Sequence, residues 1–331
     1  RLFCHVHQVG TDLALPLVVH GARGFHKGLA LGINAGVGNL GVSLIYLTAP
    51  LLLGWNLSSF FGPGVETPNG MMYVQNVCYF WTVPTALTLV LIWMFMDNLP
   101  LPKQSPKSML SIFGNKHTWS MTALYVVTFG SFIGFSMALP LSITVIFGFQ
   151  HVLDPSTGAW THTLKNPNAP SALTYAWIGP FVGALIRPLG GWVSDKVGGS
   201  IVTQVISAVM VFASAAVGYV MLLAYQSQTP EQYFFIFMVL FVVLFAASGI
   251  GNGSTFRTIG VIFDRQQAGP VLGWTSAIGA YGSFIAPVVI GQQIKAGSPE
   301  YAMYGFAVFY AICLVINWWF YLRKGAEIHN P

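Results

Sequence analysis

Eight long apolar runs, separated by short polar or proline-marked breaks, set the pattern of this chain. They cover residues 28–50, 77–96, 119–147, 171–193, 201–225, 232–256, 270–292 and 302–322. About 20 residues at ~1.5 Å each cross a ~30 Å hydrocarbon layer, so each run predicts a membrane-spanning helix. Between them, turn markers such as Gly62, Pro63, Pro68 and Gly70, and later Pro155 and Pro170, predict loops over 54–76 and 148–170. Residues 194–199 predict a tight turn.

The first run, GLALGINAGVGNLGVSLIYLTAP, is unusual in its glycine. On a helical wheel Gly28, Gly32, Ala35, Gly36, Asn39 and Ser43 share one narrow arc, and Asn34, Gly38 and Gly41 share another. In a soluble helix each glycine costs ~0.5–1 kcal/mol relative to alanine, whereas in lipid small residues let neighbouring backbones approach. Two readings follow: tight helix packing alone, or packing plus one polar wall of a substrate path. A shift of 241 positions lays Gly28, Gly32, Gly38 and Gly41 on Gly269, Gly273, Gly279 and Gly282, within AGPVLGWTSAIGAYGSFIAP. A repeat offset by about half a protein is what a duplicated transporter would show, with its site between the halves.

Composition agrees with the pattern. The chain is 54% hydrophobic and 7% charged, against ~25% charge in soluble proteins, and is therefore an all-α polytopic membrane protein in expectation. Its net charge of +5 comes mostly from short loops. Alternating the spans puts Arg23, Lys27, Lys103, Lys107, Lys116, Lys196, Arg265, Arg323 and Lys324 on one side and only Lys165 and Lys295 on the other. The richer side is then cytoplasmic, and the carboxyl terminus with it. The charge reads as a topology signal, so no nucleic-acid partner is implied. Cys4, Cys78 and Cys313 form no CxxC pair, and neither metal nor cofactor is implied. The chain begins on Arg1, and its first 27 residues, with His5, His7, Asp12 and His20, read as a poorly defined remnant. Residues 28–96 then hold two helices, 97–118 a linker, 119–323 six helices and 324–331 a tail.

Arg187 is the most informative single residue, because it sits inside an otherwise uncharged span about two turns before its end. A cation there costs a few kcal/mol and needs a partner or a cavity, yet every Asp and Glu lies in the amino-terminal piece, a loop or a span end. Gly179, Gly183, Gly190 and Gly191 lie on neighbouring helical positions and predict an open face for a ligand. Guanidinium suits a planar oxyanion. Alternatively it snorkels to the inner surface or pairs with Asp195. Tyr125, Phe129, Phe132 and Ser136 form a stripe on the third span, either plain packing or the wall of such a pocket. GIGNGSTF, with Asn252 and Ser254, repeats the glycine and asparagine theme, and Arg257 after it reads foremost as an interfacial anchor. An enzyme reading lacks intramembrane histidines, acids or an activated nucleophile.

These residues also carry a resemblance. GWVSDKVGG, with Gly191, Asp195 and Lys196, resembles the loop motif of the major facilitator superfamily that helps hold its cytoplasmic gate. GLALGINAGVGNLGVS, with Gly32, Gly36, Gly38 and Gly41, and GWTSAIGAYGSF, with Gly273, Gly279 and Gly282, resemble the signatures of its nitrate/nitrite porter branch. TFGSFIGFS and GIGNGSTF are similar to that branch too, over about 27–324. The resemblance implies a truncated helical bundle, about eight of twelve transmembrane helices, five to twelve in order. It implies that 28–96 close an N-terminal bundle, that 119–323 form the C-terminal bundle, and that Arg187, Tyr125, Phe129 and Asn39 contact the anion. A second arginine would come from a helix this chain lacks.

The resemblance implies, as the expected function, a monomeric nitrate/nitrite carrier of the cytoplasmic membrane, working by alternating access through exchange or proton symport. In it the signature glycines let helices slide. Rival readings are a carrier of another small anion and a non-functional truncated membrane protein.

Overall fold

Runs this apolar leave the backbone no partner but itself in lipid, and helices result. The structure, a computed structural model, describes residues 27–57, 62–67, 70–96, 109–158, 160–264 and 266–331, with only the backbone of Lys27. Residues 1–26, with Cys4, His5, His7, Asp12, His20 and Arg23, lie outside the described residues. So do Lys103 and Lys107 in the linker, the turn residue Pro68, and Arg265.

In chain order the helices begin with α1 (Lys27–Leu53), α2 (Val74–Phe95) and α3 (Lys116–Phe147), which is wound as a π-helix over Val126–Gly130 and Ile143–Phe147. Next come α4 (Ile178–Leu185), α5 (Arg187–Val197), α6 (Gly199–Tyr225) and α7 (Phe234–Ile262). The last are α8 (Ala268–Ala280), α9 (Gly282–Lys295) and α10 (Glu300–Asn317). Among the described residues seven spans are long and apolar enough to cross a membrane, α8 and α9 counting as one.

The run over 171–193, expected as an eighth continuous span, is broken. It forms a single turn at Ala172–Tyr175, then α4, then α5. Pro180 and Pro188 have no N–H, so the carbonyls of Ala176 and Ala184 lose the donors four residues on. Length and apolarity were right for this element; its continuity was not. The helix carrying GIGNGSTF runs to Ile262, six residues past its expected end.

Two loops hold antiparallel hairpins, β1 (Val65–Thr67) with β2 (Gly70–Met72), and β3 (Phe149–Leu153) with β4 (Trp160–Lys165). In the second, His151 is buried and donates through Nε2 to the Ile146 carbonyl at 2.8 Å. Its Nδ1 then accepts from Nδ1 of His162 at 2.6 Å, and burial pushes both imidazoles below their ordinary range.

Around α3 lies the core, where Phe132, Phe135, Phe147, Phe237, Phe241 and Phe245 are enclosed and meet mostly edge to face. By contrast, α2 buries only Asn76, whose amide donates to the Leu52 and Trp55 carbonyls. The tail crosses one end of the bundle. Glu327 pairs with Lys116, whose hydrogen bond and charge hold the carboxyl below its usual range. Three residues later, Asn330 donates to the Val197 carbonyl (2.7 Å) and accepts from Ile201 N–H (3.2 Å). Gly198, at φ +92°, leaves room for that amide.

Candidate anion site

Arg187 opens α5, one residue after the break at Ile186, and its side chain is fully enclosed. One N–H, on Nη1, donates to the Ala35 carbonyl at 3.3 Å, while Nε and Nη2 have no partner. The Phe132 ring lies 4.2 Å from Cζ and the Phe129 ring 5.8 Å away. Aromatic faces supply ~2 kcal/mol to a desolvated cation, which offsets part of the burial penalty but leaves the open N–H groups unanswered.

Neither alternative placement of this arginine occurs. It does not reach a surface, and among the described residues no carboxylate pairs with it. Asp195 is engaged elsewhere: its two oxygens accept from the backbone N–H groups of Gly28 and Leu29, at 3.0 and 3.2 Å, and Oδ1 lies 3.5 Å from Nε of Arg257. The acid thus caps the amino end of α1 while holding a cation from α7. Arg257 is half-buried in this contact, a different placement from the interfacial anchor expected of it. Lys196 stacks on Trp192 at 3.6 Å.

The glycine face expected to be open beside Arg187 is filled. A Cβ at Gly179 would strike the Phe245 ring, at Gly190 the Ile250 carbonyl and at Gly191 the Gly28 carbonyl. At Gly183 it would stand 2.8 Å from the Phe245 carbonyl. These positions admit neighbouring backbones rather than a ligand, because a helix with no side chain on one face is the closest partner a second helix can have. Enclosure of Arg187 follows from that contact.

Asn39 comes to the same place by another route. Its amide donates to the Ala35 carbonyl at 2.7 Å, the acceptor that Arg187 also uses, so the two side chains converge on one oxygen of α1. Asn34 lies on the opposite, exposed face.

Tyr125 immediately precedes the π-helical turn of α3 and Phe129 lies within it, a winding often found at functional sites. Their ring centroids are 5.3 Å apart, and Phe256 meets Tyr125 edge-on at 5.5 Å. The Tyr125 hydroxyl accepts from Ser276 of α8 at a long 3.4 Å. Beside it lies Asn252, fully buried, with neither carboxamide atom in a hydrogen bond of good geometry. Ser136 is set apart, its hydroxyl turned back to the Phe132 carbonyl at 2.7 Å. Ser254 bonds to Thr203 at 2.7 Å and belongs to the packing of α6 on α7.

Sequence reasoning did not single out Ala35 or Ser276. A backbone carbonyl has no sequence signal. Ser276 had a weak one, a hydroxyl inside a glycine-rich span. Chemically the arrangement is an enclosed, aromatic-flanked cluster of an uncompensated guanidinium, a phenol and a carboxamide without a well-formed hydrogen bond.

No protein-family model matches the chain. Among curated proteins it is 38% identical over 312 residues to a probable nitrate/nitrite antiporter, NarK2, of Thermus thermophilus, matching 91% of this chain and 65% of that protein. It is 33% identical over 322 residues to the nitrate/nitrite transporter NarU of Escherichia coli, 90% of this chain and 64% of the relative. A nitrite extrusion protein of Bacillus subtilis is 26% identical over 318 residues. The chain thus spans a little under two thirds of the length of the first two. Among solved structures, the transporter FucP in its outward conformation superposes with a TM-score of 0.59 at 12% identity, over 93% of this chain and 71% of that one. That likeness is one of fold: a bundle of the major facilitator type.

Proposed function

We propose that this chain, which belongs to the major facilitator superfamily and is a relative of its nitrate/nitrite porters, forms the larger part of a nitrate/nitrite carrier of the cytoplasmic membrane that works by alternating access. In this reading α1 and α2 are the fifth and sixth of twelve helices, α3 to α10 make up the six-helix C-terminal bundle, and the Asp195 end and carboxyl terminus face the cytoplasm. A single observation carries the substrate class: a fully buried arginine with two unpartnered nitrogens and, among the described residues, no carboxylate beside it. A monovalent oxyanion supplies both the missing charge and the missing acceptors.

The steps follow from the residues. Arg187 binds the anion through Nε and Nη2, with its orientation held by Ala35 and Phe132. The Tyr125 hydroxyl donates a further bond, and Phe129 and Phe256 exclude water. Asn39 acts by fixing the shared Ala35 carbonyl. With Arg187 enclosed, entry requires α1 to move off α5, and the bare backbones of Gly28, Gly32 and Gly36 let it do so without unlocking side chains. No carboxylate stands beside Arg187 among the described residues, which favours exchange of one anion for another over proton symport.

Arg187→Lys in the full-length carrier keeps the charge but loses the planar fork. Nitrate uptake should fall roughly 100-fold or more with membrane expression unchanged. Undiminished uptake would remove the substrate assignment.

A further inference from the structure

Asn252 is the group that the arrangement leaves unexplained. It is 0% exposed, and neither its Nδ2 nor its Oδ1 makes a hydrogen bond of good geometry, the adjacent Tyr125 hydroxyl included. An amide buried in that condition is destabilising, and a leucine of nearly the same shape would avoid the penalty. Its neighbours fix where it points. Gly251 lies against the Thr128 side chain of α3, while a Cβ at Gly253 would strike the Arg187 carbonyl of α5. Phe256, one turn further along the same face of α7, meets the Tyr125 ring edge-on, so position 252 is turned toward Tyr125 of α3. The carboxamide lies beside the Tyr125 hydroxyl, and Arg187, with its Nε and Nη2 open, is a neighbouring charge of that hydroxyl.

We propose that Asn252 is a direct ligand of the transported anion and sets its shape selectivity, a role that rests on the reading of the Arg187 site as an anion site. Nδ2 donates to one oxygen of a flat oxyanion while the guanidinium takes the others. Oδ1 offers an acceptor to the phenol or to a spare guanidinium N–H, and so orients the donors around the guest. A spherical halide, which has no separate oxygens to distribute among three donors, gains less from this directional arrangement.

The test uses the full-length carrier in detergent, with nitrate, nitrite and chloride as probes and the rise in melting temperature on anion addition as the readout. Asn252→Leu should weaken nitrate binding roughly 10-fold or more, narrow the preference for nitrate over chloride, and leave the anion-free melting temperature unchanged or higher. Asn252→Asp, equal in size but negative, should abolish the shift. If Asn252 only packs, Asn252→Leu lowers the anion-free melting temperature and keeps the wild-type nitrate affinity, and the proposal falls. It falls as well if nitrate affinity in Asn252→Leu stays within twofold while Arg187→Lys abolishes binding; there the anion site survives and this role alone is lost. If none of the three anions stabilises the wild type, the anion site itself is wrong and this role goes with it.

Discussion

The two glycine-rich stretches related by 241 positions use their glycines in opposite halves. In α1 the leading pair is pressed tight: a Cβ at Gly28 would strike the Gly191 carbonyl, and one at Gly32 would stand 2.8 Å from the Arg187 carbonyl. The trailing pair, Gly38 and Gly41, meets nothing within 4 Å. In the echo the order reverses. Gly269 and Gly273 meet nothing, whereas a Cβ at Gly279 would come within 3.0 Å of the Tyr125 ring and one at Gly282 would strike the Gly130 carbonyl. One motif therefore serves two kinds of contact. The leading glycines of α1 face α5, which parts from it in the proposed cycle, and the trailing glycines of the echo face α3, a contact that cycle leaves closed. The difference teaches that glycine content marks close approach without saying which neighbour approaches, or whether the contact opens.

The largest effect should come from crowding the static contact. Gly282→Val sets a branched side chain against backbone with no flexible tip to yield, so the full-length carrier should lose roughly 5 °C or more of melting temperature, above the ~1–3 kcal/mol of ordinary overpacking. Gly191→Val, at the contact that opens in the proposed cycle, should hold α1 off α5, lowering uptake at least ~10-fold with a smaller loss of melting temperature. Equal losses of stability at both sites would break the distinction.

Next in size is the open pair on α8. If the repeat is real, Gly269 and Gly273 receive a helix from outside the described residues, as Gly28 and Gly32 receive α5. Gly273→Val should then cut uptake by the full-length carrier several-fold. A wild-type rate would reduce the 241-residue correspondence to coincidence, and the helix would merely gain the ~0.5–1 kcal/mol that glycine forfeits.

The smallest effect belongs to the polar seal. Asp195→Asn keeps one acceptor for the amino end of α1 but releases Arg257. The pair is partly exposed, so about 1 kcal/mol is at stake, read as a modest rise in thiol labelling in a Leu29→Cys background. Unchanged labelling would show that glycine packing alone closes this end.

Much of the site was legible because lipid makes ionic chemistry conspicuous. Arg187 stood out by position, and Tyr125, Phe129 and Phe132 by helical spacing. The reading of its flanking glycines failed for a definite reason. A missing Cβ is the same sequence signal whether the space beside it is empty or taken by another group, and Phe245, Ile250 and Gly28 come from 60 to 163 residues away. The break in the run over 171–193 was written in Pro180 and Pro188, yet proline within a membrane helix only permits a break.

By itself, the sequence determined that this chain crosses a membrane in apolar helices, which of them are poor in side chain, and that one guanidinium must lie in their midst. These are properties of composition and period, and lipid enforces them segment by segment. Tertiary structure alone decided that Asp195 caps α1, that Asn39 and Arg187 share the Ala35 oxygen, and that Asn252 lies beside Tyr125 with nothing to bind. Each depends on which distant backbone fills a given groove, and close packing settles that only when all the helices are in place at once.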